Sequence, residues 1–226
     1  MVHVMTKVLL TGFGDWAGSN CNPAGEVAEL LGGETIAGAA VECHIAPSVF
    51  NEMVGSVTKR IEETSPDVVI MMGEYGGRTG ITVERLAQNL IDATRYAIGD
   101  ETGDQPQDKP VVAGGPAAYY ATLPIRAMVK TMREAGIPAD ISDTAATFGC
   151  NLLMYGVLHY IAEAGLPIRA GWVHLPALPQ TAALEENLGM PSMSLQTQAE
   201  GLRAAIAAAV NHPEDIHDPI RSNWQL

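Results

Sequence analysis

Basic residues are scarce in this sequence. Lys and Arg number 13 against 26 Asp and Glu, a formal net charge of −13. Such a surface repels phosphate backbones and anionic headgroups, which argues against nucleic acid or an anionic membrane as a partner. Cysteine is scarcer still, at three (Cys21, Cys43 and Cys150), and no two form a CxxC pair. An odd set without a framework excludes a disulfide scaffold and a zinc ribbon, and it fits a reducing, cytoplasmic setting. The six histidines include no HExxH or HxxxH pair, so a metal site lacks support. Long apolar runs are also missing. "AAIAAAV" falls far short of the roughly 18 residues of a membrane span, and the first apolar run stops at Gly12, too early for a signal peptide. With 47% apolar and only 17% charged residues, a disordered chain is excluded too.

What the chain does have is alternation. "KVLLTGFG" (7–14) predicts a strand entering a glycine-rich loop, and "NPAGEVAELLGG" predicts a helix. Asn22 is its N-cap, Pro23 its first residue and Gly32-Gly33 its stop. "VECHIA" (41–46) and "DVVIMMG" (67–73) read as strands on either side of a helix over 48–64. From there to about residue 120 the pattern is irregular, and it includes the polar "GDETGDQPQDKP" (99–110). A helix over "LPIRAMVKTMREAG", a short strand "ADIS" and an apolar helix from Cys150 follow. The strand "RAGWVHLP" (169–176) and a closing helix over 194–210, capped by Ser194, complete the order. This predicts an α/β fold: a single three-layer α/β/α domain over residues 1–226, with a mainly parallel twisted sheet and a C-terminal tail from about residue 212. Ligands of such sheets bind beyond the carboxyl ends of the strands. That rule singles out "TGFGDW", "GEYGGRTG", "TFGC" and "WVHLP".

Glycines 12, 14 and 18 in "TGFGDWAG" approximate a dinucleotide fingerprint. The spacing is off by one, and Phe13 and Trp16 fill space that a pyrophosphate would need. "GEYGGRTG" lacks a following GK[ST], so it is no P-loop and reads as a flexible loop with two left-handed glycines. Cys150 opens an apolar helix, where unpaired N–H groups and the dipole favour a thiolate. His174 stands at the far end of a strand, ahead of a Pro-rich turn. Glu84, next to Arg85, reads on spacing alone as a paired surface carboxylate. Its position raises it, because cysteine, histidine and acid all fall at one end of the inferred sheet. That set is the minimum for thiol nucleophilic catalysis with an oriented imidazole.

Five segments in order resemble one family, pyroglutamyl peptidase I, also called pyrrolidone-carboxylate peptidase. They are "VLLTGF" with Asn22-Pro23, "GGRTGITVERLAQN" (76–89), "YYATLPIRAMV" with "AGIPADIS", "TFGCNLLMYG" (147–156) and "AGWVHLPALPQ" (170–180). The likeness spans roughly residues 7 to 180. It implies a cysteine peptidase that removes N-terminal pyroglutamate from peptides through an acyl-enzyme, with no cofactor. Cys150 would be the nucleophile, His174 the general acid/base and Glu84 the acid that orients it. By the same resemblance Phe13, Trp16 and Phe148 would line the lactam ring, Asn22 would be a polar contact, and the backbone at Glu74 would pair with the lactam. Backbone N–H groups near Cys150 would hold the oxyanion, with Arg95 as the candidate arginine. Assembly into homodimers or homotetramers is also implied.

The departures from the family pattern cluster near the inferred pocket: Trp16 for Phe, Asp15 for Pro, Glu74-Tyr75 for a small or amide pair, and Gly149 for a bulky apolar residue. They leave room for two further readings. One is a cysteine amidase or hydrolase acting on a different small lactam or acyl group, and the other is a non-catalytic small-molecule-binding relative.

Overall fold

The computed structural model describes residues 5–14 and 21–223. Their elements follow in the order β1 (Lys7–Phe13), α1 (Pro23–Leu31), β2 (Thr35–Ile36), β3 (Ala39–Ala46), α2 (Phe50–Thr64), β4 (Val68–Glu74), β5 (Ile81–Glu84), β6 (Leu86–Gln88), β7 (Ala118–Tyr120), α3 (Ile125–Glu134), β8 (Ala139–Ser142), α4 (Gly149–Glu163), β9 (Arg169–Leu175), α5 (Pro179–Ala182) and α6 (Leu195–Asn211). Seven strands form one sheet in the order β2-β3-β1-β4-β9-β5-β8, and β6 pairs with β7 apart from it. From β3 through β1 and β4 to β9 the neighbours are parallel. β5 runs antiparallel to β9 and parallel to β8, and β2 is an antiparallel edge. The expected α/β/α architecture with a mainly parallel sheet is what the chain adopts.

Alternate residues of the central strands serve opposite layers, as the pleat requires. Val8, Leu10, Ile70, Met72 and Val173 pack with α1, α3 and α6, whereas Leu9, Val69, Met71 and Trp172 pack with α2 and α4. Burying a side chain of this kind contributes about 1.5–3 kcal/mol. Because both faces are covered, the inner strands read as continuous apolar runs rather than as alternation. The irregular middle of the sequence hides β5, β6 and β7 for a related reason. Each has only three or four residues, and "ITVE" of β5 is buried at every position. In "GEYGGRTG" the left-handed glycine is Gly77 alone, at φ 90°.

Helix α1 starts where the sequence places it. Asn22 Oδ1 accepts from the Ala24 N–H at 3.0 Å, and Pro23 occupies the first turn. The helix lies directly on β1, backbone to backbone. A Cβ at Gly12 would stand 2.2 Å from the Ala24 carbonyl oxygen, and one at Gly25 would stand 2.5 Å from that of Phe13. This contact brings Phe13 and Asn22 to the same end of the sheet. Residues 212–223 carry no regular element and fold back on α3, where Asp215 accepts from the N–H groups of Arg126 and Ala127 at 3.1 and 3.0 Å. Among the described residues no helix is long and apolar enough to cross a membrane.

Gly12→Ala is expected to lower the free energy of unfolding by about 1–3 kcal/mol or more, the range for forcing volume into a packed site. Urea unfolding followed by circular dichroism checks this, and the m-value should stay that of the wild type.

Candidate active site

Two adjoining cavities open where β1, β4 and β9 end. The first, about 290 Å³, has Phe13, Ile98 and Phe148 as apolar walls and Asn22 and Glu74 as polar ones, with Cys150 at its edge. The second, about 210 Å³, shares Glu74, Ile98, Phe148 and Cys150. It adds Tyr75, Tyr96, Ala145, Ala146 and His174. Cys150 therefore stands at the junction.

Cys150 is the second residue of α4. The helical ladder begins with the Leu152 N–H donating to the Phe148 carbonyl at 2.8 Å, so the N–H groups of Gly149, Cys150 and Asn151 precede it. Asn151 is fully buried and clamps the helix start to the chain after β5. Its Oδ1 accepts from the Gln88 N–H at 2.8 Å, and its Nδ2 donates to the carbonyls of Gln88 and Leu90 at 2.9 and 2.8 Å. On the sheet side, Gly73 is the ladder partner of His174. A Cβ there would meet Trp172 Cζ2 at 2.7 Å and Cys150 Sγ at 3.0 Å, so only glycine lets thiol and strand approach this closely.

His174 Nδ1 lies 2.7 Å from Glu84 Oε1. The sequence puts Glu84 and His174 at one end of a parallel sheet, but β5 runs against β9. Thr82 stands opposite His174 in the ladder, and Glu84 reaches the imidazole diagonally, two residues along. Glu84 is also no surface carboxylate paired with Arg85. It has no exposed surface, and its cation is Arg78, whose Nη1 donates to the same Oε1 at 2.7 Å. Neighbouring residues on a strand point to opposite faces, and Arg85 turns outward to pair with Asp143. Arg78 also donates to Thr82, and through Nη2 to Ser142 Oγ and the Thr144 carbonyl, both at 3.3 Å. Its guanidinium lies 3.9 Å from the centroid of Tyr75, and the Tyr75 ring meets His174 edge-on with centroids 5.2 Å apart.

These surroundings set the protonation states. Burial, and then the Glu84 charge, push the Cys150 thiol up to about 12, with Arg78 pulling only partly back. Burial holds the His174 imidazole below its usual range, against the opposite pull of Glu84. Both groups rest neutral at pH 7. The thiolate suggested by the helix start does not form by itself, because a helix N-terminus contributes only about 0.3–1 kcal/mol and desolvation outweighs it. Burial also pushes the Glu74 carboxyl up.

Phe13 lies against Trp172, with ring centroids 5.9 Å apart, and Phe148 lies against Tyr96 at 5.0 Å. Asn22 is on the first cavity's wall, with its amide nitrogen donating to the Gly14 carbonyl at 2.9 Å. Trp16 lies outside the described residues. Arg95 is exposed on a 3-10 turn (Thr94–Tyr96), where its guanidinium sits 5.6 Å from the Tyr96 centroid and lines neither cavity. The structure thus brings Cys150, His174, Glu84, Glu74, Phe13, Asn22 and Phe148 together and leaves Arg95 outside. Arg78, Tyr96 and Ile98 have no role in the sequence reading. A signal for Arg78 existed: an acid at the end of the apolar "ITVE" needs a buried cation, and Arg85 faces the wrong way. Among the described residues no group of three His, Cys, Asp or Glu side chains converges as a metal site.

The family described as pyroglutamyl peptidase matches residues 6–212. A relative from Mycobacterium tuberculosis named pyrrolidone-carboxylate peptidase is 54% identical over 222 residues, covering 98% of this chain and 100% of its own. The crystal structure of pyroglutamyl peptidase I from Bacillus amyloliquefaciens superposes with a TM-score of 0.91 at 37% identity, over 96% of this chain and 100% of that one. Pyrrolidone carboxyl peptidase from Thermococcus litoralis gives 0.90 at 35%, with the same coverage.

Inactivation of the free protein by iodoacetamide should accelerate close to tenfold per pH unit between about pH 6 and 9, because only the thiolate reacts and it forms as pH climbs toward about 12. A plateau near neutrality in the measured rates would instead mean a preformed thiolate.

Proposed function

The chain belongs to the pyroglutamyl peptidase family, and from that premise we propose how its site removes an N-terminal pyroglutamyl residue from peptides. The observation that carries the assignment of roles is the buried Glu84–His174 contact of 2.7 Å beside a cavity that Cys150 also lines. The lactam occupies the first cavity, between Phe13, Ile98 and Phe148. An uncharged ring of that size suits apolar walls with a few polar groups. Asn22 and the Glu74 backbone are those groups, and burial pushes the Glu74 carboxyl up. Gly149, with no side chain, widens the end next to the sulfur.

With Nδ1–H held by Glu84, the other ring nitrogen of His174 is the base. Cys150 Sγ attacks the pyroglutamyl carbonyl carbon while its proton passes to that nitrogen, and Glu84 stabilises the imidazolium that forms. Negative charge develops on the carbonyl oxygen and meets the N–H groups at the start of α4. Collapse breaks the C–N bond, and His174 returns the proton to the leaving amine. Water then attacks the thioester, gives its proton to His174 and releases pyroglutamate, and the sulfur recovers a proton. Peptides are the substrate class. A cytoplasmic location and assembly into dimers or tetramers complete the reading. The exposed Tyr120 and Leu188 offer apolar surface for such contacts, and sedimentation equilibrium tests the assembly.

A pyroglutamyl fluorogenic amide should be cleaved in preference to the prolyl and glutaminyl amides, with cleavage lost in Cys150→Ala. Cleavage of none of the three by folded protein would favour a different lactam or binding without turnover. Glu84→Gln should lower kcat by about 10²-fold or more while KM changes little, since the carboxylate acts on the imidazole and not on the substrate. A change in KM alone would count against that role. The pH profile of kcat/KM should lose activity on the acid side only below about 6.5, because His174 must be neutral to accept the proton and burial keeps it neutral to lower pH than usual.

A further inference from the structure

The proposed reaction places the acyl group in the first cavity and leaves the second without an occupant. Only the second includes His174. The leaving amine takes its proton from that imidazole, so the residue joined to the amine must emerge on the His174 side of Cys150. Resting on the peptidase reading above, we propose that the second cavity is the subsite for the residue that follows pyroglutamate, and that it selects an apolar or flat aromatic side chain there.

The walls support this. Tyr75 and Tyr96 are its two large faces, and each has a guanidinium against its ring. Arg78 lies 3.9 Å from the Tyr75 centroid, and Arg95 lies 5.6 Å from that of Tyr96. Cation–π contact of this kind fixes a ring at little cost to its exposed apolar face. Tyr96 is held further by Phe148, whose centroid is 5.0 Å away at 45°. Ala145 and Ala146, which are small and buried, line it too. Ala146 keeps its side chain at φ 63°, a backbone conformation that favours glycine, so this wall is held in a strained shape by its surroundings. Apolar faces of fixed orientation around about 210 Å³ suit a leucine- or phenylalanine-sized group. An acidic side chain would have to leave water for these apolar faces, and Glu84 behind His174 adds a like charge. Arg95, the sequence candidate for the oxyanion, becomes a positioning residue for Tyr96.

The test measures release of pyroglutamate from pyroglutamyl-X amides, with X as Gly, Leu, Phe or Asp, on the wild type, Tyr96→Ala and Tyr96→Phe. The expected wild-type kcat/KM for Leu and Phe exceeds that for Gly by about tenfold or more, the scale of an apolar pocket, and Asp falls below Gly. Tyr96→Ala should bring the Phe/Gly ratio toward one, while Tyr96→Phe preserves it, because the face and not the hydroxyl makes the contact. A wild-type Phe/Gly ratio near one overturns the subsite, as does a ratio that Tyr96→Ala leaves unchanged. Turnover of none of the four by folded wild type sinks the peptidase reading itself, and the subsite with it.

Discussion

A carboxylate with no exposed surface must be compensated where it lies. Glu84 is compensated by two partners on one oxygen, Arg78 and His174, each at 2.7 Å. Removing one partner of a buried pair typically costs about 3–5 kcal/mol, because the other charge is stranded. That constraint ties together four parts of the chain. The loop after β4 delivers Arg78, β5 delivers Glu84, and β9 delivers His174. The turn after β8 supplies the Thr144 carbonyl that holds the guanidinium. The carboxylate, its cation and the imidazole are therefore held by the sheet and the turns at its end.

The same buried charge governs the sulfur. Glu84 helps to keep Cys150 protonated at rest, and in the proposed reaction it also stabilises the imidazolium once the proton has moved. In that proposal one carboxylate disfavours the thiolate before substrate arrives and favours the proton's acceptor afterwards. A dry cleft strengthens both effects, since charges interact more strongly where water is excluded. A resting neutral thiol is also less open to adventitious oxidation than a thiolate.

Close approach is the second theme of the cleft. Gly73 lets the Cys150 sulfur and the Trp172 ring meet the strand, and Gly12 with Gly25 lets α1 lie on β1. Asn151 fixes the helix start by three hydrogen bonds to Gln88 and Leu90. These residues perform no chemistry, yet each sets where a reacting or binding group stands. Glu74, Tyr75 and Gly149 line the cavities that this scaffold holds open.

Much of the molecule was legible in the chain itself. Asn22-Pro23 marks the start of α1 and Ser194 that of α6, because capping is local chemistry between neighbours. The long apolar strands and the closing helix follow from periodicity, and Glu84, Cys150 and His174 were singled out as candidates from position together with the resemblance. Local sequence could not supply the direction of β5, the choice of Arg78 over Arg85 as the partner of Glu84, or the protonation state of the thiol. Strand direction depends on which neighbours pair across the sheet. Ion pairing inside the protein depends on which face each residue presents after pairing. A thiol's affinity for its proton depends on how much water the whole fold removes from it. Each is a sum over residues distant in sequence, and only the assembled tertiary structure performs that sum.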